Sequence, residues 1–262
     1  MVKTTKPPDG GTQTVAPYDY SQAGVTGFEN TTQQDFGIPF LQILQKGSPQ
    51  IDEAHPEHAS KKIKGAKVGD IINTLSNAVV WGKSSPTVMQ FVPCSYEKLY
   101  VEWIPREKGG GMVKVHRNAQ ILLECTRNEK NQNVLRSGNL VIDTAYFYGL
   151  LLQDGQDPLP CVLGMTSTQL KKARMWLNMM SALKLNNMAG QKYTPPMFSH
   201  QYAITTVPEN NEKGNWYGWQ IRMGGIITDR TIIDKALDTA KTSFTGRAAL
   251  PAPGQDSVEE HM

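Results

Sequence analysis

Apolar and polar residues alternate through much of this chain, and in two later segments the alternation gives way to a helical period. The clearest alternation spans 95–104. There Leu99, Val101 and Trp103 fall on one side, and Tyr96, Lys98, Tyr100 and Glu102 on the other, which predicts a strand with two unlike faces. Shorter β-rich runs at 69–74, 78–82, 87–93, 121–126, 140–152 and 158–165 predict further strands, with a turn at 83–86 and a hairpin tip at Gly109, Gly110 and Gly111. Leu170, Ala173, Trp176, Leu177, Met180 and Leu183 then recur at helical spacing behind the capping candidates Ser167 and Thr168, and Asn186, Asn187 and Gly190 close the helix. Strands over 200–208 and 215–224, joined by a turn at 209–214, precede a second helix over 229–242. Its expected buried stripe is Ile232, Ile233, Ala236, Leu237 and Ala240.

The flanks carry no such pattern. Residues 1–35, rich in Thr, Gln, Gly and Pro, read as a flexible arm, and 246–262 as a disordered, mildly acidic tail. Between them, 36–245 reads as one domain. Its first segment able to bury itself is 36–45, where Pro39 disfavours a helix through it but permits one starting there, or a strand with an irregular start; 53–67 is polar and reads as a loop. Several strands, a helix and then two strands predict a mainly β fold: an OB-fold, a five-stranded Greek-key barrel with inserted hairpins, one helix between strands three and four, and a C-terminal helix.

Composition narrows the class. Across 262 residues, 39% are hydrophobic and mean hydropathy is −0.42, which predicts a soluble protein with an ample core and no membrane partner. The first residues lack the apolar run of a secretory signal. Cys94, Cys125 and Cys161 form no CxxC pair, so neither a disulfide framework nor a cysteine zinc site is expected, and a reducing compartment is. The net charge of +3 is modest, but its distribution is uneven. Lys61, Lys62, Lys64 and Lys67 form one basic cluster, and Lys108, Lys114, His116 and Arg117 another. The helix after Thr168 carries Lys171, Lys172, Arg174 and Lys184 and no acid. Asp256, Glu259 and Glu260 sit near the end.

The candidate chemistry is binding. No P-loop, HExxH or Cys/His ligand spacing occurs, and no cofactor is expected. Aromatic residues stand beside cations in strand-like segments. Such a pairing stacks bases on aromatic faces and holds phosphates with cations, which suits single-stranded nucleic acid. Tyr96, Tyr100 and Trp216 are the stacking candidates; Lys98, Arg106, Lys108, Lys114, Arg117 and Arg222 are the phosphate candidates, with Lys61, Lys62 and Lys64 extending the path. Trp81, Trp103 and Trp176 read as core, Trp219 is a weaker binding candidate than Trp216, and Tyr146 and Tyr148 fit either role. A metal-dependent nuclease built on Glu102, Glu124 and Asp143 is the enzymatic alternative, and a single-strand annealing recombination protein the other.

Three segments carry a resemblance: DFGIPFLQILQKGSPQ at 35–50, GAKVGDIINT at 65–74 and YVEWIPREKGGG at 100–111. Together they resemble the single-stranded DNA-binding proteins of tailed bacteriophages, over about residues 35–225. The resemblance implies an OB-fold and sequence-independent, non-enzymatic binding of single-stranded DNA. It also implies a role in phage replication, recombination and repair in the cytoplasm of the infected host, and an acidic C-terminal tail able to contact replication proteins.

Overall fold

In a computed structural model of the chain, residues 37–212 and 214–245 are described, with residues 27, 29 and 30. Most of the expected arm and all of the expected tail lie outside the described residues. The strands in chain order are β1 (Phe40–Ile43), β2 (Ile71–Asn73), β3 (Ala78–Trp81), β4 (Met89–Trp103), β5 (Met112–His116), β6 (Thr126–Arg127), β7 (Asn133–Val134), β8 (Leu140–Leu152), β9 (Leu159–Thr166), β10 (Leu185–Asn186), β11 (Lys192–Tyr193), β12 (His200–Asn211) and β13 (Gly214–Ile226). The helices are α1 (His58–Lys61), α2 (Leu170–Ala182) and α3 (Arg230–Thr245).

A mixed sheet runs β13-β12-β4-β8-β9-β1-β2-β3, with β5 added to β4 and β7 to β8. Its pairings are antiparallel except for β1 beside β9. The sheet curls. Leu41, Ile71, Trp81, Phe91, Phe147, Leu163, Tyr202 and Trp219 come from the eight strands of that path, yet all join one core. Only a sheet bent back on itself can gather them. Trp176 of α2 fills the hollow, with ring centroids 4.3 Å from Phe147, 5.4 Å from Tyr202 and 5.9 Å from Phe91.

Side chains close the curl where backbone pairing stops. The Gln45 amide donates to the Tyr217 carbonyl at 2.8 Å and accepts from the Tyr217 N–H at 2.9 Å. Two residues on, the Trp219 N–H donates to Gln169 Oε1 at 3.0 Å, and Lys172 Nζ donates to the Trp219 carbonyl at 2.6 Å. These groups face away from β12 and would otherwise lack partners. The buried Thr206 hydroxyl reaches across to the Gly69 carbonyl at 2.6 Å. Gly69 has φ +89°, and a Cβ there would lie 2.6 Å from the Tyr217 ring, so both backbone angle and space demand glycine.

The convex side is covered in two places. Ile232, Ala236 and Ala240 of α3 pack on Val92, Cys94 and Leu150, and Phe40 meets Tyr146 edge-on at 5.8 Å. Trp81, Trp103 and Trp176 are buried, as their flanking patterns predict; Trp219, Tyr146 and Tyr148 are buried as well.

Several expectations change. The runs at 87–93 and 95–104 are one strand, β4, bent by a bulge at Pro93/Ser95 that resets the alternation. The strand expected at 121–126 is mostly a 3-10 turn, Ala119–Glu124, started by Asn118 accepting from the Gln120 N–H. Helix α2 stops at Ala182. The Asn187 side chain accepts from the N–H groups of Ala189 and Gln191 and so turns the β10–β11 hairpin where a helix end was expected. In α3, Leu237 is exposed and lies outside the buried stripe, because the small Ala236 and Ala240 face the sheet.

Candidate nucleic-acid interface

Strand β4 runs past the rest of the curl, flanked there by β5 and β8, and carries the densest group of candidates. Its alternation is as the sequence predicts. Leu99 packs with Tyr146, while Val101 and Trp103 pack with Leu140 and Ile142 on the convex face. Tyr96, Lys98, Tyr100 and Glu102 share the concave face with their cross-strand partners Phe147, Ala145, Asp143 and Val141. Lys114 and His116 of β5 join that face opposite Glu102 and Tyr100.

The geometry there is tightly paired. Lys98 Nζ is 2.9 Å from Asp143 Oδ2 and 5.3 Å from the Tyr100 ring centroid. The Asp143 hydrogen bond holds the Lys98 ammonium above its ordinary value. Tyr96 is half-buried against Phe147 at 5.1 Å, and burial pushes its phenol up. Tyr100 is only 7% exposed. Glu102 accepts from Asn139 at 2.6 Å and lies 3.0 Å from His116 Nε2. Burial raises the Glu102 carboxyl, but the Asn139 and His116 hydrogen bonds outweigh it and hold the group below its usual range.

The remaining candidates are dispersed. Arg117 pairs with Glu97, which also accepts from the Tyr148 hydroxyl at 3.2 Å, on the face opposite Lys98. Arg106 begins the 3-10 turn Arg106–Lys108; its side chain is outside the described residues. Lys108 is exposed, with its ammonium over Gly138. Lys61, Lys62 and Lys64 are exposed at and after α1, and Lys61 lies 3.0 Å from Glu57. Trp216 and Arg222 share one side of β13, as alternation requires, but lie far from Lys98. Ile204 of β12 pairs with Met89, so β12 leaves β4 there, while Lys98 stands nine residues the other way, about 30 Å along the strand. Trp216 is 8% exposed, and its indole N–H donates to Glu209 at 2.9 Å. The same carboxylate holds Lys172 and Gln169.

Comparison with known proteins places the chain. Residues 9–249, which take in every described strand and helix, match the family described as Pam3 phage gp34-like protein. The chain belongs to that family. No curated protein and no solved structure matches it. Among the described residues of this phage-family protein, no helix is long and apolar enough to cross a membrane, and no three His, Cys, Asp or Glu side chains gather as metal ligands would.

What sequence reasoning missed in this family member is the pairing of acids with the candidate cations and with His116. Glu97 and Asp143 each hold a cation of the candidate site, and Glu102 hydrogen-bonds the His116 imidazole. Strand alternation puts Glu102 with Lys98, but pairing Asp143 with them needs the register of β8, which no local pattern supplies.

Proposed function

We propose that this protein binds single-stranded DNA without sequence preference, inside the infected cell, and protects it during phage replication, recombination and repair. The observation that carries the reading is the order of the five long strands. Taken in chain order, β4, β8, β9, β12 and β13 stand in the sheet as five-four-one-two-three, and α2 falls between the third and the fourth. That order supports an OB-type barrel in which β1–β3 are inserted between the third and fifth strands.

In an OB-fold the loop between the first two strands is a nucleic-acid contact. Here it is residues 104–139, with seven cations and three acids. The face of β4 and β5 beside it presents Tyr96, Lys98 and Lys114, with Tyr100 buried among them. A base stacks on Tyr96, contributing about 1–3 kcal/mol regardless of its identity. Phosphates replace Asp143 as the partner of Lys98 and release counterions, so affinity falls with salt. A duplex hides its base faces and gains only the second of these terms.

The test is fluorescence anisotropy of a labelled poly-dT oligonucleotide about 30 nucleotides long, across a range of salt and without Mg²⁺. Wild type should bind saturably and more weakly as salt rises. K98Q/K114Q should bind less tightly, with a log–log salt slope shallower by about 1.4, two phosphates at about 0.7 each. No binding at low salt, or equal affinity for a duplex of the same length, would remove the reading.

A further inference from the structure

The longest acid-free stretch of the described domain lies away from that face. From Pro158 to Pro208 there is no Asp or Glu, while Lys171, Lys172, Arg174, Lys184 and Lys192 all fall inside it. Of these, Lys172 is consumed by the closure of β13, through Glu209 and the Trp219 carbonyl. The others sit on the outer surface of α2 and on the hairpin that follows. Helical spacing lines up Lys171, Arg174 and Asn178 on one side of α2, all exposed, while Ala173, Trp176 and Met180 are buried on the other. Past the helix end, Lys184 donates to Thr194, and the β10–β11 register sets Tyr193 opposite Leu185 and Lys192 opposite Asn186.

Two properties separate this surface from ordinary solvated charge. Lys171, Arg174 and Lys192 have no ion-pair partner among the described residues, whereas Lys98 and Arg117 each have one. The cations also stand among exposed side chains that suit base faces. Tyr193 is 43% exposed beside Lys192, Met175 is 59% exposed beside Arg174, and Met188 at the hairpin tip is fully exposed. From Lys171 to Ala182 the helix rises about 17 Å, a length along which a single strand passes more than one phosphate.

We propose that the outer face of α2 together with the β10–β11 hairpin is a second contact tract for the single strand, so that a long strand leaves the β4 face and continues over the helix. This rests on the single-stranded DNA reading above. The two tracts differ in kind: the first must exchange internal acids for phosphate, and the second presents cations with no acid to displace among the described residues.

The experiment is anisotropy with the same labelled poly-dT on the full chain. It compares wild type with K171Q/R174Q and, independently, with K192Q/Y193A, all four positions being exposed. Poly-L-glutamate serves as the rival anion. Each variant should keep the wild-type melting temperature and lose about ten-fold in affinity, and K171Q/R174Q should flatten the salt slope by about 1.4. Wild-type affinity and slope in both variants, with wild type binding the oligonucleotide, overturns the tract and leaves the β4 reading intact. Failure of wild type itself to bind removes both. Equal capture of poly-L-glutamate, lost in the variants while poly-dT binding persists, overturns the tract as well and assigns the surface to an acidic protein segment.

Discussion

The β4–β5–β8 face and the α2–hairpin face are both basic by sequence, yet they are built in opposite ways. On the strand face the side chains are held: Lys98 by Asp143, His116 by Glu102, and Tyr96 and Tyr100 against the core. On the helix face Lys171, Arg174 and Lys192 are exposed and have no acid partner among the described residues, and an exposed tyrosine stands at a two-residue strand. A counted charge therefore says little until its neighbours are known. A paired exposed cation has already settled much of its electrostatic energy internally, typically about 0.2–1 kcal/mol.

The comparison can be broken most forcefully at the seat of α2. Trp176→Ala should cost about 3–5 kcal/mol, read by urea unfolding, because the indole fills the hollow that all eight strands enclose. A loss below about 1 kcal/mol would mean that α2 is not anchored there and that its outer face has no fixed relation to the sheet. Gln45→Ala comes next. It leaves the Tyr217 N–H and carbonyl without their amide partner and should cost about 1–3 kcal/mol in the same assay, with DNA affinity falling only as the folded fraction falls.

Smaller effects sharpen the contrast. Asp143→Asn frees Lys98 and removes a like charge from the path of phosphate, so poly-dT affinity should rise about two- to five-fold, the equivalent of an exposed pair. Among the described residues no acid pairs with Lys171 or Arg174 whose removal would have a like effect, and an unchanged affinity in Asp143→Asn would show that phosphate does not pass Lys98. The smallest effect concerns acid. Burial raises the Glu209 carboxyl, but Lys172, Gln169 and Trp216 outweigh it and hold the group below its ordinary value. A depressed folded value means stability that is present above the unfolded carboxylate range and lost as pH falls through the lower, folded value. Melting temperature should therefore drop less steeply with acid in Glu209→Gln than in wild type. An identical pH profile would mean that Glu209 does not contribute to holding β13 against α2.

The local patterns carried much of this structure, and the limits of what they carried are physical. Alternation at 95–104 sorted Leu99, Val101 and Trp103 from Tyr96, Lys98 and Tyr100 correctly, because a strand's period of two is set by its own backbone. The same period could not reveal that the second face is also covered, since that depends on Phe147 arriving from 51 residues away. The helical stripe of α2 was legible for the same reason. Its end was not, because an Asn side chain redirected the backbone. The segment 121–126 has β-prone residues but became a 3-10 turn, where the Asn118 cap competes with propensity. For the candidate site, the cations were visible and their acids were not. Those pairings are set by register across strands, which one strand's sequence does not state.

The amide of Gln45 has a consequence for neighbours along a strand. A sheet edge with bare N–H and C=O groups is a template on which another chain can add. At Tyr217 and Trp219 that template is already filled by Gln45, Gln169 and Lys172. Copies crowded side by side on one nucleic acid cannot zip into a continuous ribbon through this stretch of β13, so the protein can be concentrated without its fold becoming the seed of a fibre there.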